Sequence, residues 1–295
     1  MQLAVMQTNI RLYTEALEKS FPKIRIDRIV SVLGGWDSDV FEVNGELIFR
    51  FPKWPVIERG MQKEIALLPE LAKVLSVQIP NFEFIGKYNG MVFVGYQKIP
   101  GLPLASCDFQ RGNLADQLAK TVTEIHRFPV HKATKLKVPY ANWRSEYVEF
   151  YESVREKVFP LMKKPLLKKA ASVWEGFLDN DDNFRFEPVF IHRDLSGDQH
   201  ILCDPNGAKI TGIIDWEDAA MGDPAIDFTG VYWDCGEDFT RHVLAKYGGE
   251  VDETFWERVV FYYKIGAFHE IRYGQLINND AHIKSGLGFL SKTLS

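Results

Sequence analysis

Val189-Phe-Ile-His-Arg-Asp-Leu-Ser-Gly-Asp-Gln-His-Ile-Leu202 and, shortly after it, Gly212-Ile-Ile-Asp-Trp216 decide how this chain is read. An apolar, strand-like run delivers His192, Arg193 and Asp194, and a second apolar run, Ile210 to Ile214, ends on Asp215. Gln199 and His200 stand five and six residues beyond Asp194. Phosphoryl transfer from a nucleoside triphosphate needs such parts: a carboxylate facing the acceptor hydroxyl, and Mg²⁺-facing groups held at strand ends. The plainer alternative makes Asp194 a helix cap and Asp215 a turn residue. Two carboxylates in this order, each after a buried-looking β segment, favour the chemical reading.

Upstream, residues 9–20 read as an amphipathic helix, and Ile24 to Leu33 as a strand running into Gly34-Gly35-Trp36-Asp37-Ser38-Asp39. Val40 to Val43, the two-residue hairpin signal Asn44-Gly45 and Glu46 to Phe51 continue an antiparallel sheet. Glu58 to Val74 has helical spacing, and strands are expected at Phe82–Tyr88 and Met91–Tyr96 around Asn89-Gly90. Gln97-Lys-Ile-Pro-Gly101 then breaks the pattern. Beyond it, helices are predicted at Asn113–Phe128, Tyr147–Val158, Lys168–Leu178 and, whole or broken, Phe255–Ile277. Short strands interrupt them at Val189–Ile191, His200–Cys203 and Lys209–Ile214. The expected class is α+β: a small antiparallel-sheet lobe over residues 1–96, a hinge at 97–101 and a larger, mainly helical lobe over 102–295. A cleft between two such lobes is a usual ligand site.

Composition narrows the partners. With 295 residues, 46% hydrophobic and 25% charged, the chain is ordinary for a soluble globular protein. A net charge of −5 argues against non-specific nucleic-acid binding, which needs a basic face. No apolar run is long enough to span a membrane, and no secretory signal precedes residue 10. Cys107, Cys203 and Cys235 are far apart and show neither zinc nor redox spacing. They are read as reduced thiols, and the protein as cytoplasmic and monomeric.

Each candidate residue has a chemical reason. Asp194 is the candidate base or hydroxyl-orienting group. Asp215 is the candidate Mg²⁺ ligand, since Mg²⁺ takes carboxylates, phosphate oxygens and water. His200 is preferred as the second metal-side group, although hard cations favour the amide oxygen that Gln199 would supply; the choice stays open. Gly34 to Asp39 is a candidate phosphate loop, with backbone N–H groups at Gly35 and a hydroxyl at Ser38, or simply a turn. Arg50, held by Glu64 of the next helix, would contact nucleotide phosphates; a surface ion pair is the alternative. Asp218, Asp223, Asp227, Asp234, Glu237 and Asp238 form a third acidic group. Asp227 is expected to bond loop backbone. Asp234, Glu237 and Asp238, with Glu270 and Tyr273, are candidates for an acceptor pocket, or else a solvated face.

These residues resemble the aminoglycoside phosphotransferase family of kinase-like enzymes. The resemblance runs through Gly35-Trp-Asp-Ser-Asp-Val-Phe41, Val43-Asn-Gly-Glu-Leu-Ile-Phe-Arg50, Gly95-Tyr-Gln-Lys-Ile-Pro-Gly101, Ile191-His-Arg-Asp194, Ile213-Ile-Asp215 and Gly222-Asp-Pro-Ala-Ile-Asp-Phe228. Asp234-Cys-Gly-Glu-Asp-Phe239 and Tyr273-Gly274 look most like the 2″-type enzymes. The resemblance implies a two-lobed protein-kinase-like fold, ATP or GTP with Mg²⁺, and transfer of the γ-phosphoryl group to a hydroxyl. It implies Asp194 as base and Asp215 as metal ligand. It also implies that the backbone of Gln97, Lys98 and Ile99, near Tyr96, meets the purine. A cationic antibiotic would then sit against Asp234, Glu237, Asp238 and Glu270. Arg50 stands where many members carry lysine, and His200 comes one residue later than the family's usual ligand. Macrolide and small-metabolite kinases share the catalytic motifs and remain alternatives, as does an inactive nucleotide-binding scaffold.

Overall fold

A computed structural model describes residues 2–32, 37–108 and 113–294, and the side chains from residue 10 onward. Helix α1 (Gln2–Ser20) lies against strand β1 (Ile29–Val32). Strands β2 (Ser38–Val43) and β3 (Leu47–Pro52) follow, then helix α2 (Pro55–Leu71), then β4 (Phe84–Tyr88) and β5 (Met91–Gln97). The five strands form one antiparallel sheet in the order β1-β2-β3-β5-β4. Alternation explains its core: Phe41, Val43, Phe49, Phe51 and Phe93 are buried together with Leu17 of α1.

Two details differ from the sequence expectation. Residues 24–28 are not strand, because the Asn44 side chain takes over their backbone. Its Oδ1 accepts from Asp27 N and Arg28 N, and its Nδ2 donates to Arg25 O. The β2–β3 connection also takes in Glu46, whose N–H donates to Val43 O, so the return strand begins at Leu47. The Asn89-Gly90 turn does have two residues, both in the left-handed region, with Tyr88 paired to Met91.

Strand β6 (Leu102–Pro103) leads into the helical part. There α3 (Leu114–His126), α4 (Val130–Lys135), α5 (Trp143–Lys157) and α6 (Lys164–Leu178) precede β7 (Val189–Ile191). Strands β8 (Ile201–Cys203), β9 (Ile210–Ile213) and β10 (Ala220–Gly222) follow, then α7 (Thr229–Lys246), α8 (Phe255–Leu276) and α9 (Asp280–Thr293). The small sheets are β6-β8-β9 and β10-β7. The predicted helix at Phe255–Ile277 is unbroken, whereas α7 is broken at Gly236, with φ 82° and ψ 173°. That backbone conformation is essentially restricted to glycine. No helix among the described residues is long and apolar enough to cross a membrane.

The cysteines correct an expectation. Cys107 and Cys203, read from sequence as thiols far apart, are brought together, with Cα atoms 7.0 Å apart. A separation of 96 residues concealed the contact, which forms because β6 pairs with β8. Cys235 is free and buried.

Candidate functional site

The site is assembled from the ends of short, buried strands. After β7, the backbone N–H groups of His192 and Arg193 donate to the two oxygens of Asp227, at 2.8 and 2.7 Å. Asp227 is fully buried on the 3-10 turn Pro224–Phe228, and its Oδ2 also lies 3.1 Å from His126 Nε2. His126 Nδ1 in turn is 2.6 Å from the Tyr247 hydroxyl. This carboxylate fixes Arg193 in a left-handed conformation, φ 74°, and so turns Asp194 outward. The buried His192 ring donates from Nε2 to Ile214 O at 3.0 Å and lies against Trp216. Burial, aided by His200, lowers its pKa.

Asp215 follows β9 with φ 68°, the second left-handed residue at this junction. The pairing of Ile201 with Ile213 and the bond from Ile214 N to His200 O bring His200 beside it. His200 Nε2 lies 3.8 Å from Asp194 Oδ2 and 3.9 Å from Asp215 Oδ2, so the imidazole stands between the two carboxylates. The loop before it is wide: Ser196 O accepts from both His200 N and Ile201 N. That extra residue points Gln199 into the cleft rim and His200 inward.

Electrostatics separate the two carboxylates. Burial would raise the Asp215 carboxyl, but Arg50, His200 and His192 outweigh it and hold it below the usual range. Asp194 is raised by its surroundings against the pull of His200 and His192. Its side chain is 63% exposed, however, and water in the open cleft offsets much of that rise.

Arg50, on β3, is buried and holds three carboxylates. Its Nη1 lies 3.1 Å from both oxygens of Glu64, and its Nη2 lies 2.7 Å from Asp215 Oδ1 and 2.9 Å from Glu217 Oε2. Glu64 also accepts from Trp216 N. Glu64, Asp215 and Glu217 offer oxygen atoms within 4.8 Å of one another, a donor set that suits a hard cation such as Mg²⁺. Burial pushes Glu217 up against the pull of Arg50.

The remaining nucleotide-side expectations are placed as follows. Gly35 lies outside the described residues. Ser38 is buried at the start of β2, its hydroxyl without a hydrogen-bond partner among the described residues. Tyr96 is buried on β5 with its ring near Phe82, and Gln97 is exposed. Lys98 departs from expectation: its N–H is taken by Glu46 O and its amine by Glu42, so its backbone donor is unavailable to a purine. Ile99 is buried over Gly212.

On the other side of Asp194 opens a cleft of about 700 Å³. Its walls carry Asp37, Asp194, Asp198, Asp218 and Asp234, and the rings of Tyr147, Trp233, Tyr262 and His269. Asp234 Oδ2 accepts from Gly197 N and Asp198 N, and burial together with Asp198 pushes its carboxyl up to about 6. The other acidic candidates are not cleft walls. Glu237 is exposed and bonded to Tyr232 and Arg241, and Asp238 is exposed beyond the Gly236 break. Glu270 lies 3.5 Å from His282 Nδ1, and Tyr273 packs its ring on the same histidine. The faces of α7 and α8 that carry them follow from the helix break and from α9, neither of which was legible locally.

Sequence reading missed Asp198, Glu217, Tyr147 and His269. The first two sat four residues after Asp194 and two after Asp215, where close spacing was the available signal. Tyr147 and His269 come from helices distant in sequence and carry no local signal.

The far wall is tied down by a second buried cluster. Asp223 accepts from Ala225 N, from Arg258 Nε at 2.7 Å and Nη2 at 3.1 Å, and from the Tyr262 hydroxyl at 2.6 Å. Asp223 and Arg258 are both fully buried, and Arg258 also pairs with Asp252. Asp223, just after β10, therefore fixes the rotation of α8 and the position of Tyr262.

Comparisons with known proteins place the chain by family and fold. The family described as "Phosphotransferase enzyme family" matches residues 28–259. A GDP and kanamycin complex of APH(2″)-IIIa superposes with a TM-score of 0.88 at 33% identity, covering 95% of this chain and 97% of that one. A GDP complex of wild-type aminoglycoside 2′-phosphotransferase-IIIa gives 0.88 at 34%, covering 96% and 97%. Viomycin phosphotransferase of Streptomyces vinaceus is 25% identical over 195 residues, 64% of this chain and 66% of its own length. The chain thus spans just under two thirds of that relative. A macrolide 2′-phosphotransferase type I, at 18% identity and a TM-score of 0.76, shares the fold.

Proposed function

Because the chain belongs to the phosphotransferase enzyme family and has its kinase-like fold, we propose that it transfers the γ-phosphoryl group of ATP or GTP, with Mg²⁺, to a hydroxyl of a small cationic acceptor, an aminoglycoside antibiotic in first place. One observation carries this reading. Asp194 and Asp215 meet across His200, and Asp194 is one of five carboxylates that wall a cleft.

In this reading Asp194 orients the acceptor hydroxyl and takes its proton as the oxygen bonds to the γ-phosphorus and the β–γ bridging bond breaks. Asp215, with His200 beside it, would hold Mg²⁺, which when bound neutralises charge on the phosphate oxygens. Arg50, kept in place by Glu64, faces the phosphates, and Ser38, at the start of β2, offers them its hydroxyl. Gln97 and Ile99, beside Tyr96, supply the hinge backbone for the purine. Residues 1–96 and 102–295 act as two lobes about the hinge 97–101. The enzyme works as a monomer in the cytoplasm, where nucleoside triphosphates are supplied.

The acceptor follows from charge. A polyamine gains charge-assisted hydrogen bonds from carboxylates in a recessed site. A macrolide would use the aromatic wall of Tyr147, Trp233 and Tyr262 and leave the carboxylates unpaired, so the cationic acceptor is preferred. The test incubates the protein, Mg²⁺ and either ATP or GTP with aminoglycosides, macrolides and small amino alcohols, and reads phosphorylation as a mass gain. The expected result is an aminoglycoside phosphate. A product only from macrolides or metabolites would replace the acceptor, and nucleotide binding without any product would support the scaffold alternative.

A further inference from the structure

The three carboxylates that share Arg50 are not equivalent. Glu64 has no exposed side-chain surface and is spent on Nη1 and on Trp216 N. Asp215 keeps 40% of its side chain exposed and lies 3.9 Å from His200 Nε2. Glu217 is only 12% exposed, and helix α2 pins the backbone that carries it. Lys63 Nζ donates to Glu217 O and Ala219 O. Gly60 lies so close that a Cβ there would stand 3.2 Å from Glu217 Cβ.

The contest is for one nitrogen. Nη2 of Arg50 gives one hydrogen to Asp215 and the other to Glu217. A lysine would bring a single rotatable ammonium on this strand; the guanidinium brings a second, fixed branch that reaches the metal-side carboxylate. In this structure the cation on Asp215 is Arg50 itself. A guanidinium stays charged at any working pH, so it does not leave by losing a proton. A divalent cation at Asp215 must compete with it.

We propose that Glu217 is the positioning residue that retains Arg50 when Mg²⁺ takes Asp215, and so sets how much Mg²⁺ the nucleotide site needs. With Glu217 present, Nη2 keeps a buried carboxyl acceptor at 2.9 Å after Asp215 turns to the metal. Without it, Asp215 is the remaining anion for that nitrogen, and a buried guanidinium holds it more tightly. This inference rests on the nucleotide and Mg²⁺ reading above.

The test measures ADP and GDP affinity of the full chain by calorimetry across a Mg²⁺ series, and records the Mg²⁺ concentration giving half of the affinity gain. Wild type, Glu217→Gln, Arg50→Lys and the double variant are compared. Glu217→Gln is expected to raise the half-point about tenfold, the size of a coupling near 1.4 kcal/mol. On the Arg50→Lys background the same change should shift it by less than about threefold. Arg50→Lys alone should lower the half-point, which keeps the idea testable should Glu217→Gln fold poorly by thermal melting. Equal shifts in both backgrounds would mean that Glu217 meets the ion or nucleotide directly, and would overturn the proposal. So would a higher half-point in Arg50→Lys. Failure of the functional reading looks different: wild type itself would bind neither nucleotide at any Mg²⁺ concentration, and both would fall.

Discussion

Asp234, on α7, accepts the backbone N–H of Gly197 at 2.7 Å and so ties the cleft wall to the loop that follows Asp194. A residue expected only to meet a ligand thus also shapes the loop, and its environment makes it titrate in a useful range.

Burial and Asp198 push the Asp234 carboxyl up to about 6, so its charge appears as pH rises through that value. KM for an aminoglycoside should therefore fall by roughly tenfold between about pH 5 and pH 7.5, and Asp234→Asn should flatten the profile at the high-KM end. The linkage to folding has the opposite direction. A raised carboxyl binds more protons in the native state between about pH 4 and 6, so this group's contribution to stability is lost as pH rises across that window. Urea melts at both ends, for wild type and Asp234→Asn, check the sign.

Asp194→Ala should reduce turnover by about a thousandfold, the range of a lost general base, while ADP or GDP affinity stays within about threefold. Asp215→Ala should instead remove the Mg²⁺-dependent part of nucleotide binding. Steady-state rates beside calorimetry separate the two roles, and equal losses of nucleotide affinity would refute the division.

His200 stands between the two carboxylates, whereas Gln199 is exposed at the cleft rim. His200→Ala should raise the Mg²⁺ concentration needed for half-maximal rate, and Gln199→Ala should change it by less than about twofold. The reverse pattern in a Mg²⁺ titration would hand the metal role to Gln199.

Arg258→Ala should destabilise the protein by about 3–5 kcal/mol, since it strands a fully buried Asp223 carboxylate. Arg258→Ala combined with Asp223→Ala should recover part of the loss, because the fully buried charge is then gone and the Asp252 left behind is partly exposed to water. Thermal and urea denaturation read both.

Legibility in the sequence followed the range of each interaction. The strands around Asp194 and Asp215 were readable because apolar runs and their terminal residues are local features. Glu64 and Arg50 could be paired from strand and helix order taken with the kinase template, with a surface ion pair as the alternative; the pair proves to be buried. Lys98 could not be excluded from a hinge contact, since its N–H is taken by Glu46, a residue on the far side of the sheet hairpin. Glu237 and Glu270 were drawn to the acceptor by proximity along the chain. A helix break and a packed neighbour, α9, decide otherwise. The Cys107–Cys203 pairing depends on two strands meeting, which spacing does not encode.

The break at Gly236 divides α7 in two. A Cβ at this position would meet nothing within 4 Å, so the constraint is the backbone and not crowding. Before the break, Trp233 and Asp234 face the cleft; after it, Phe239 and Val243 are buried in the core. The break does not free the whole first segment: Val231 and Cys235 belong to the same core, Gly230 abuts Leu195, and Asp234 holds the Gly197 loop. What the glycine joint separates is the cleft-facing side chain of Trp233 from the core packing of Phe239 and Val243.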